Sequence, residues 1–218
     1  MINQYRDYAG RLAMVATKRR GDLTDVNSVH VWRAIVDRLF DKEYVYEEDT
    51  LGDVDELSLK IAYFFHRNLQ ATEARPDAWR AISELYECGI QQGVLADAQP
   101  FTMTQLTAAL VDQGLSAPTY EYFPSNRNVL SYQMGIRKPS KSLFERAVAR
   151  LEDAGVDASE ILHVSCRLQT DLMPAKAAGM KTALLASEKT GLEAPAEFIK
   201  DPQTRPDRLL TDITQITS

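Results

Sequence analysis

Polar residues that could do chemistry come at or directly after the ends of three short apolar runs of the sequence. They are Asp97, Ser131, Ser165 and Cys166. A carboxylate such as Asp97 can act as a base or a ligand, and a thiol such as Cys166 becomes a nucleophile when a nearby cation lowers its pKa. Lys138 follows the second run, and its ammonium group could contact an anion. The strand ends are therefore where we expect the chemistry of the protein to lie, and Lys138 allows a small anionic ligand.

The elements that must position these residues are strands and helices in alternation. The apolar runs predict five strands, at 93–96, 128–131, 161–165, 182–185 and 208–210. Amphipathic helices separate the runs, which is typical of a parallel sheet covered on both faces. The sequence therefore predicts an α/β fold with a Rossmann-like parallel sheet flanked by helices. In such sheets the ligand crevice lies beyond the carboxyl ends of the strands, where we expect the polar residues to gather.

The first part of the chain has a different pattern, because residues 1–72 show only helical spacing of apolar residues. One apolar stripe follows Ser28, and a second lies on a predicted helix at about 55–69. Neither stripe is expected to stay in water, so the helices should pack on each other or on the rest of the chain. We expect a helical cap-like region at 1–72 and an α/β core at 73–218.

The composition excludes several classes of protein. The net charge of −6 is opposite to that of a generic nucleic-acid binder. The sequence has no run of about 18 apolar residues, which is the length that a membrane-spanning helix needs. The first ten residues lack the pattern of a secretory signal. Two cysteines in 218 residues argue against a disulfide scaffold and favour a reducing compartment. We therefore expect a cytoplasmic protein with neither nucleic-acid nor membrane partners.

Two segments resemble motifs of the haloacid dehalogenase-like (HAD) hydrolase superfamily. The segment 131–139 carries Lys138 before a proline and is followed by Phe144, as in the third motif of the family. The segment 163–180 carries Asp171 and a helix of small residues that ends in Gly-Met, and it resembles the fourth motif. A weaker match to the second motif lies at 93–99. The resemblance covers residues 73–213 and extends loosely to the N-terminal helices, which look like the family's cap.

The resemblance implies a phosphoryl-transfer site. The family uses a strand-end aspartate as nucleophile, a second aspartate two residues later as acid and base, and a hydroxyl, a lysine and magnesium-binding acids around the phosphoryl group. Carried over to this chain, it makes Lys138, Ala96 and Asp97 vestigial phosphate-binding positions and Asp171 a candidate magnesium ligand. Magnesium is expected only if the chain is an active hydrolase, and otherwise no cofactor is expected.

The sequence departs from the family pattern at several of these positions. Ala96 stands where the family has a hydroxyl, and Ser165 and Cys166 stand where it usually has Gly-Asp. Alanine cannot donate a hydrogen bond, and a protonated thiol is a poor magnesium ligand. No strand-like run before the predicted core ends in two aspartates spaced by one residue. Asp22 and Asp25 are three apart, and we interpret them as turn and cap residues.

Three of the candidate residues have a structural interpretation beside the functional one. Lys138 is either a solvated lysine or an anion contact, and Asp171 is a helix N-cap or a metal ligand. Cys166 is a partly buried small residue or a reactive thiol. Asp97 could act as a base or ligand, and His163 is expected inside a strand in the core.

The family's first strand has no counterpart that ends in aspartates, and this leaves the centre of the predicted sheet open. Either the flanking strands pair directly, or residues 12–17 fill the position, or a partner chain or second copy donates a strand. A fourth possibility, that the acids lie upstream of this sequence, is disfavoured by Ala96 and Cys166.

Two functions follow from these observations. The first is a catalytically inactive binding or regulatory module with a HAD-like fold and a vestigial phosphate site. The alternative is a hydrolase of small phosphate esters with relocated or upstream acids, and a thiol activity at Cys166 is a third reading.

Overall fold

The structure, a computed structural model, describes residues 2–20, 22–69, 72–187 and 192–217. The N-terminal part of the described chain is helical, as predicted. Its helices are α1 (Ile2–Arg20), α2 (Ser28–Phe40), α3 (Glu48–Leu51) and α4 (Val54–Leu69). None of the helices within these ranges is long and apolar enough to cross a membrane.

The apolar stripes of α2 and α4 pack on each other. Trp32 of α2 is buried, and its ring lies 5.2 Å from that of Phe65 on α4. Tyr5 of α1 stacks on Trp32 at 5.2 Å, so three helices share one aromatic cluster. Helix α2 begins after Asn27, whose side chain accepts a hydrogen bond from the backbone N–H of Val29.

The second part of the chain alternates between strands and helices. Its strands are β1 (Leu95–Ala96), β2 (Val129–Leu130), β3 (Leu162–Ser165), β4 (Lys181–Leu185) and β5 (Arg208–Leu210). Its helices are α5 (Ala78–Glu87), α6 (Thr102–Val111), α7 (Thr119–Tyr122), α8 (Ser131–Met134), α9 (Lys141–Glu152), α10 (Met173–Ala177) and α11 (Ala196–Lys200). The five strands lie within the predicted runs or start one residue before them, and the α/β fold class is confirmed. The boundary at residue 72 stays a prediction.

All strand pairs are parallel, and they form two sheets in the described part of the chain. Strands β1 and β2 form one sheet, and β3, β4 and β5 form the other in that order. Strands β1 and β3 do not pair, so the prediction that the flanking strands close the sheet directly is wrong. Residues 12–17 belong to α1, so the prediction that they supply a strand is also wrong. A strand from a partner chain stays a prediction.

A core around α9 joins the two sheets. Leu143 and Phe144 of α9 are fully buried, and they pack with Val129 of β2 and Ala175 of α10. The ring of Phe144 meets His163 of β3 edge-on at 6.0 Å. One helix therefore contacts both β2 and β3, the two strands whose carboxyl ends carry the candidate polar residues.

Candidate functional site

Strands β1 and β2 end at the same edge, because Ala96 is aligned with Leu130. Ser131 follows β2 and is fully buried. Its hydroxyl accepts a hydrogen bond from the backbone N–H of Ala98 at 2.8 Å and donates one to the carboxylate of Asp25. This hydroxyl links the loop after β1 to the segment that precedes α2.

Asp25 reaches the site through a short antiparallel contact between the segments 22–25 and 135–137. The N–H of Arg137 donates to the carbonyl of Leu23 at 2.8 Å, and the N–H of Asp25 donates to the carbonyl of Gly135 at 3.2 Å. Gly135 has a φ of +67°, which suits glycine and lets the chain turn out of α8 toward Lys138.

The interpretation of Asp22 and Asp25 as turn and cap residues is corrected by these contacts. Asn27 caps α2, whereas Asp25 contacts Ser131 and Asp22 accepts a hydrogen bond from the hydroxyl of Ser142 at 2.9 Å. Sequence reasoning missed Asp25 as a site residue. The pairing of its segment with residues more than 100 positions away leaves no local signal.

Lys138 and Asp171 form an ion pair across the cleft. Nζ of Lys138 lies 2.8 Å from Oδ2 of Asp171, and the two side chains are only 11% and 8% exposed. The hydroxyl of Ser165 donates to the same oxygen at 2.7 Å, and the hydroxyl of Thr170 donates to Oδ1 at 3.0 Å. The loop after β2 and the turn after β3 are therefore connected by a buried polar cluster.

Two of the structural interpretations are wrong for this cluster. Lys138 is not a solvated lysine, because its side chain is buried and paired. Asp171 is not a helix N-cap, since it lies inside a π-helical turn at Leu168–Leu172 that runs directly into α10. Such turns contain one more residue than an α-helical turn and are frequent at functional sites.

The cluster shifts the pKa values of its ionisable groups. Burial acts to raise the pKa of Asp171, but the charge and hydrogen bond of Lys138 and the hydroxyl of Ser165 together hold it below its usual range. His163 lies within β3, as expected, and its Nε2 is buried without a hydrogen-bond partner. Burial, and then the charge of Lys138, lower the pKa of His163 from 6.5 to about 4.

Asp97 lies at the end of β1 and is exposed at the mouth of the cleft. Its Oδ1 accepts a hydrogen bond from the backbone N–H of Lys138 at 2.9 Å. Partial burial of the carboxyl group raises its pKa, the N–H and charge of Lys138 act in the opposite direction, and the charges of Asp25 and Asp171 raise it further. When ionised, Asp25, Asp97 and Asp171 carry three negative charges, and Lys138 carries one positive charge.

Ala96 and Cys166 lie at the ends of β1 and β3. Ala96 is half-buried and presents a methyl group where the family has a hydroxyl. Cys166 is partly buried, and its carbonyl accepts a hydrogen bond from the N–H of Glu193 at 2.9 Å. The predicted placement of both residues at strand ends is therefore confirmed. A phosphate-binding position at Ala96 and thiol chemistry at Cys166 stay predictions.

The donor set does not fit a magnesium ion. Within residues 2–20, 22–69, 72–187 and 192–217, no three His, Cys, Asp or Glu side chains form a group that could hold a metal. Oδ2 of Asp171 already accepts from Lys138 and Ser165, which uses both of its lone pairs. Magnesium prefers several oxygen ligands in octahedral geometry, and the neighbouring Cys166 offers sulfur instead.

The sequence also contains a pair of aspartates with the family spacing, Asp53 and Asp55, outside this cleft. Oδ1 of Asp53 accepts hydrogen bonds from the N–H groups of Asp55 and Glu56, both at 2.9 Å, where α4 begins. Asp55 is exposed and pairs with Arg33. These contacts give Asp53 a helix-capping role and Asp55 a surface ion pair.

Comparisons with known proteins agree with the fold. Residues 135–216 match the family model described as HAD-hydrolase-like. No curated protein sequence matches this chain.

Solved structures of HAD hydrolases are similar over most of the chain. A 2-haloacid dehalogenase from Pseudomonas syringae pv. Tomato DC3000 is 19% identical, with a TM-score of 0.63 over 99% of this chain and 79% of its own. A HAD hydrolase from Bacillus subtilis, solved with bound magnesium, is 16% identical, with a TM-score of 0.52 over 99% and 90%. A HAD phosphatase from Thermococcus onnurineus is 15% identical, with a TM-score of 0.51 over 85% and 86%. At these identities the likeness shows the fold alone.

The fold expected from the resemblance at Lys138, Asp171 and their neighbours is therefore confirmed: this chain has a haloacid dehalogenase-like hydrolase fold, and its residues 135–216 match the family model described as HAD-hydrolase-like.

Proposed function

We propose that this chain is a non-catalytic binding or regulatory module built on the HAD-like fold. The observation that carries the proposal is the buried ion pair between Lys138 and Asp171. Asp171 neutralises the ammonium group that would otherwise face an incoming anion. The carboxylates of Asp25 and Asp97 add further negative charge around the same lysine.

This charge balance disfavours phosphoryl transfer. The transferring group carries negative charge on several oxygens, so a catalytic site must supply fixed positive charge and hydrogen-bond donors. Here an anion would have to displace Asp171 from Lys138, and it would meet the methyl group of Ala96 instead of a hydroxyl donor. Weak binding of a small anion at Lys138 stays a prediction under this proposal.

The proposal is tested by assaying the purified chain with an aryl phosphate and magnesium, and separately with an L-2-haloacid. We expect no turnover above that of the Lys138→Ala variant with either substrate, in protein whose circular dichroism confirms folding. Turnover that is lost in Lys138→Ala or Asp97→Asn would contradict the proposal.

The second candidate function is hydrolysis of a small phosphate ester with Asp97 as the acid or base. It is favoured by the exposed carboxyl of Asp97, whose pKa is raised and which is held by the N–H of Lys138. General acids and bases work best when their pKa lies near the working pH, so a raised carboxyl pKa suits this role. If this function is correct, turnover depends on the ionisation of Asp97, which Asp97→Asn removes. The pH–rate profiles of the parent protein and of the Asp97→Asn variant would then differ.

A further inference from the structure

Helices α1 and α2 line an open surface pocket with a volume of about 200 Å³. Three basic residues line it, namely Arg11 of α1, Arg38 of α2 and Lys42, which follows α2. Asp7 is the acidic residue in the lining, so the ionised side chains carry three positive charges and one negative charge. The pocket shares no residue with the cleft around Lys138.

The three cations have no carboxylate partner among the residues that the structure describes. None of them lies within 4.0 Å of a carboxylate oxygen, although Asp7 lines the same pocket. On the same helix, by contrast, Arg33 pairs with Asp37 at 3.0 Å. Although the protein has a net charge of −6, these unpaired cations around one concave surface offer an anion several binding groups.

Aromatic and apolar side chains complete the pocket. The guanidinium group of Arg38 lies over the ring of Tyr8, 5.9 Å from the centroid, which restrains its position. Ile35 and Leu39 line the pocket from α2, one turn apart. The pocket therefore combines three positively charged side chains, one of them restrained by an aromatic ring, with an apolar wall.

We propose that this pocket binds a small organic phosphate. Arginine side chains donate paired hydrogen bonds to phosphate oxygens, and a lysine adds a compact charge. A monocarboxylate has one negative charge, which is fewer than three cations can neutralise. A phosphate monoester dianion has two negative charges and suits the three cations better. The volume limits the organic part to a small group, which Ile35 and Leu39 contact.

Phenylphosphonate is a suitable probe, because it carries an anionic head on a small apolar body and resists hydrolysis. When it is titrated into the full chain and followed by calorimetry, we expect saturable binding at one site, with an affinity that falls as the salt concentration is raised. We expect the double variant Arg38→Gln/Lys42→Gln to weaken the affinity for phenylphosphonate by about tenfold or more. The single variant Arg11→Gln should weaken it by a smaller factor. The matched control Arg80→Gln removes an exposed arginine outside the pocket and leaves the affinity unchanged.

The variants replace exposed side chains, and unchanged thermal unfolding would confirm that they fold. Absence of saturable binding overturns the proposal. Binding that survives the double variant but is lost in Lys138→Ala also overturns it, since the probe would then occupy the cleft. Because the pocket and the cleft share no residue, the outcome is independent of the proposed function.

Discussion

Lys138 and Asp171 are almost removed from water, and each neutralises the charge of the other. Replacing Lys138 by methionine leaves the carboxylate of Asp171 buried without a cation. Removing one partner of a buried pair typically costs about 3–5 kcal/mol. We therefore expect Lys138→Met to lower the free energy of unfolding by roughly that amount, measured by urea denaturation at pH 7.

The matched control is Lys141→Met, which removes an ion pair with Glu145 whose side chains are 79% and 52% exposed. An exposed pair contributes little, so this change should stay within about 0.5 kcal/mol of the parent protein. Equal effects of the two substitutions would show that the Lys138–Asp171 pair is solvated in solution.

His163 gives the fold a dependence on pH. Its pKa is lowered from 6.5 to about 4, so between these values the unfolded chain binds a proton that the folded chain does not. Stability is then fully present above pH 6.5 and is lost as the pH falls toward 4, by roughly 3 kcal/mol in total. Urea denaturation between pH 4 and 7 should show this slope.

The variant His163→Leu removes this ionisation and should flatten the slope, whereas His30→Gln, at an exposed position, should leave it intact. The raised pKa of Asp97 acts with the opposite sign, so the comparison between variants is more informative than the parent curve. A slope that persists in His163→Leu would assign it to other groups.

At the scale of elements, periodicity is sufficient to predict α2, α4 and the parallel strands that follow, but not α1, whose residues 12–17 it leaves open as a possible strand. Apolar residues on one face of α9 place Phe144 in the core, and short apolar runs that alternate with amphipathic helices are typical of buried parallel strands. The strand ends then follow from the general geometry of parallel sheets, and this is why Asp97 and Ser165 were correctly placed.

Long-range contacts could not be predicted in this way. The contact of Asp25 with Ser131 depends on chain segments far apart in sequence. The π-helical turn around Asp171 adds one residue to an ordinary turn, and no local pattern distinguishes it from a helix start. The burial of Lys138 depends on its ion pair with Asp171 in that turn. The sequence alone therefore could not decide whether Lys138 is buried or solvated.

The pairing of β1 with β2 depends on close approach of two backbones at Gly93. A Cβ atom at this position would lie 2.4 Å from the carbonyl oxygen of Arg127, a backbone atom that cannot move alone. Gly93→Ala should displace Val94, whose N–H donates to the side chain of Asn128 at 3.0 Å. We expect a loss of about 1–3 kcal/mol in the free energy of unfolding, measured by urea denaturation.

Gly10→Ala provides the contrasting change. Gly10 lies within α1, and a Cβ atom there meets nothing within 4 Å. Alanine is favoured over glycine inside a helix by roughly 0.5–1 kcal/mol, so this variant should be as stable as the parent or more stable. Destabilisation by both substitutions, to the same extent, would contradict the role of close approach at Gly93.

At the scale of the whole molecule, the two sheets differ in how extensively their strands are paired and buried. Strand β4 pairs on both sides and is largely buried, whereas β1 and β2 each contribute two paired residues. Amides of β4 should exchange with solvent only on global unfolding, and those of β1 and β2 should exchange about tenfold faster or more. Hydrogen exchange followed by mass spectrometry measures this difference, and uniform protection would contradict it.

The same measurement tests the prediction that a second copy or a partner strand completes the sheet. In the described part of the chain, β1 pairs only with β2 and β3 pairs only with β4, so one edge of each strand offers unpaired backbone groups. If a second copy supplies a strand, protection of β1 and β3 should rise with protein concentration while β4 stays unchanged, and sedimentation should show a dimer over the same range. Protection that is independent of concentration in a monomeric protein would exclude the second copy, because a shared strand cannot protect these amides without association.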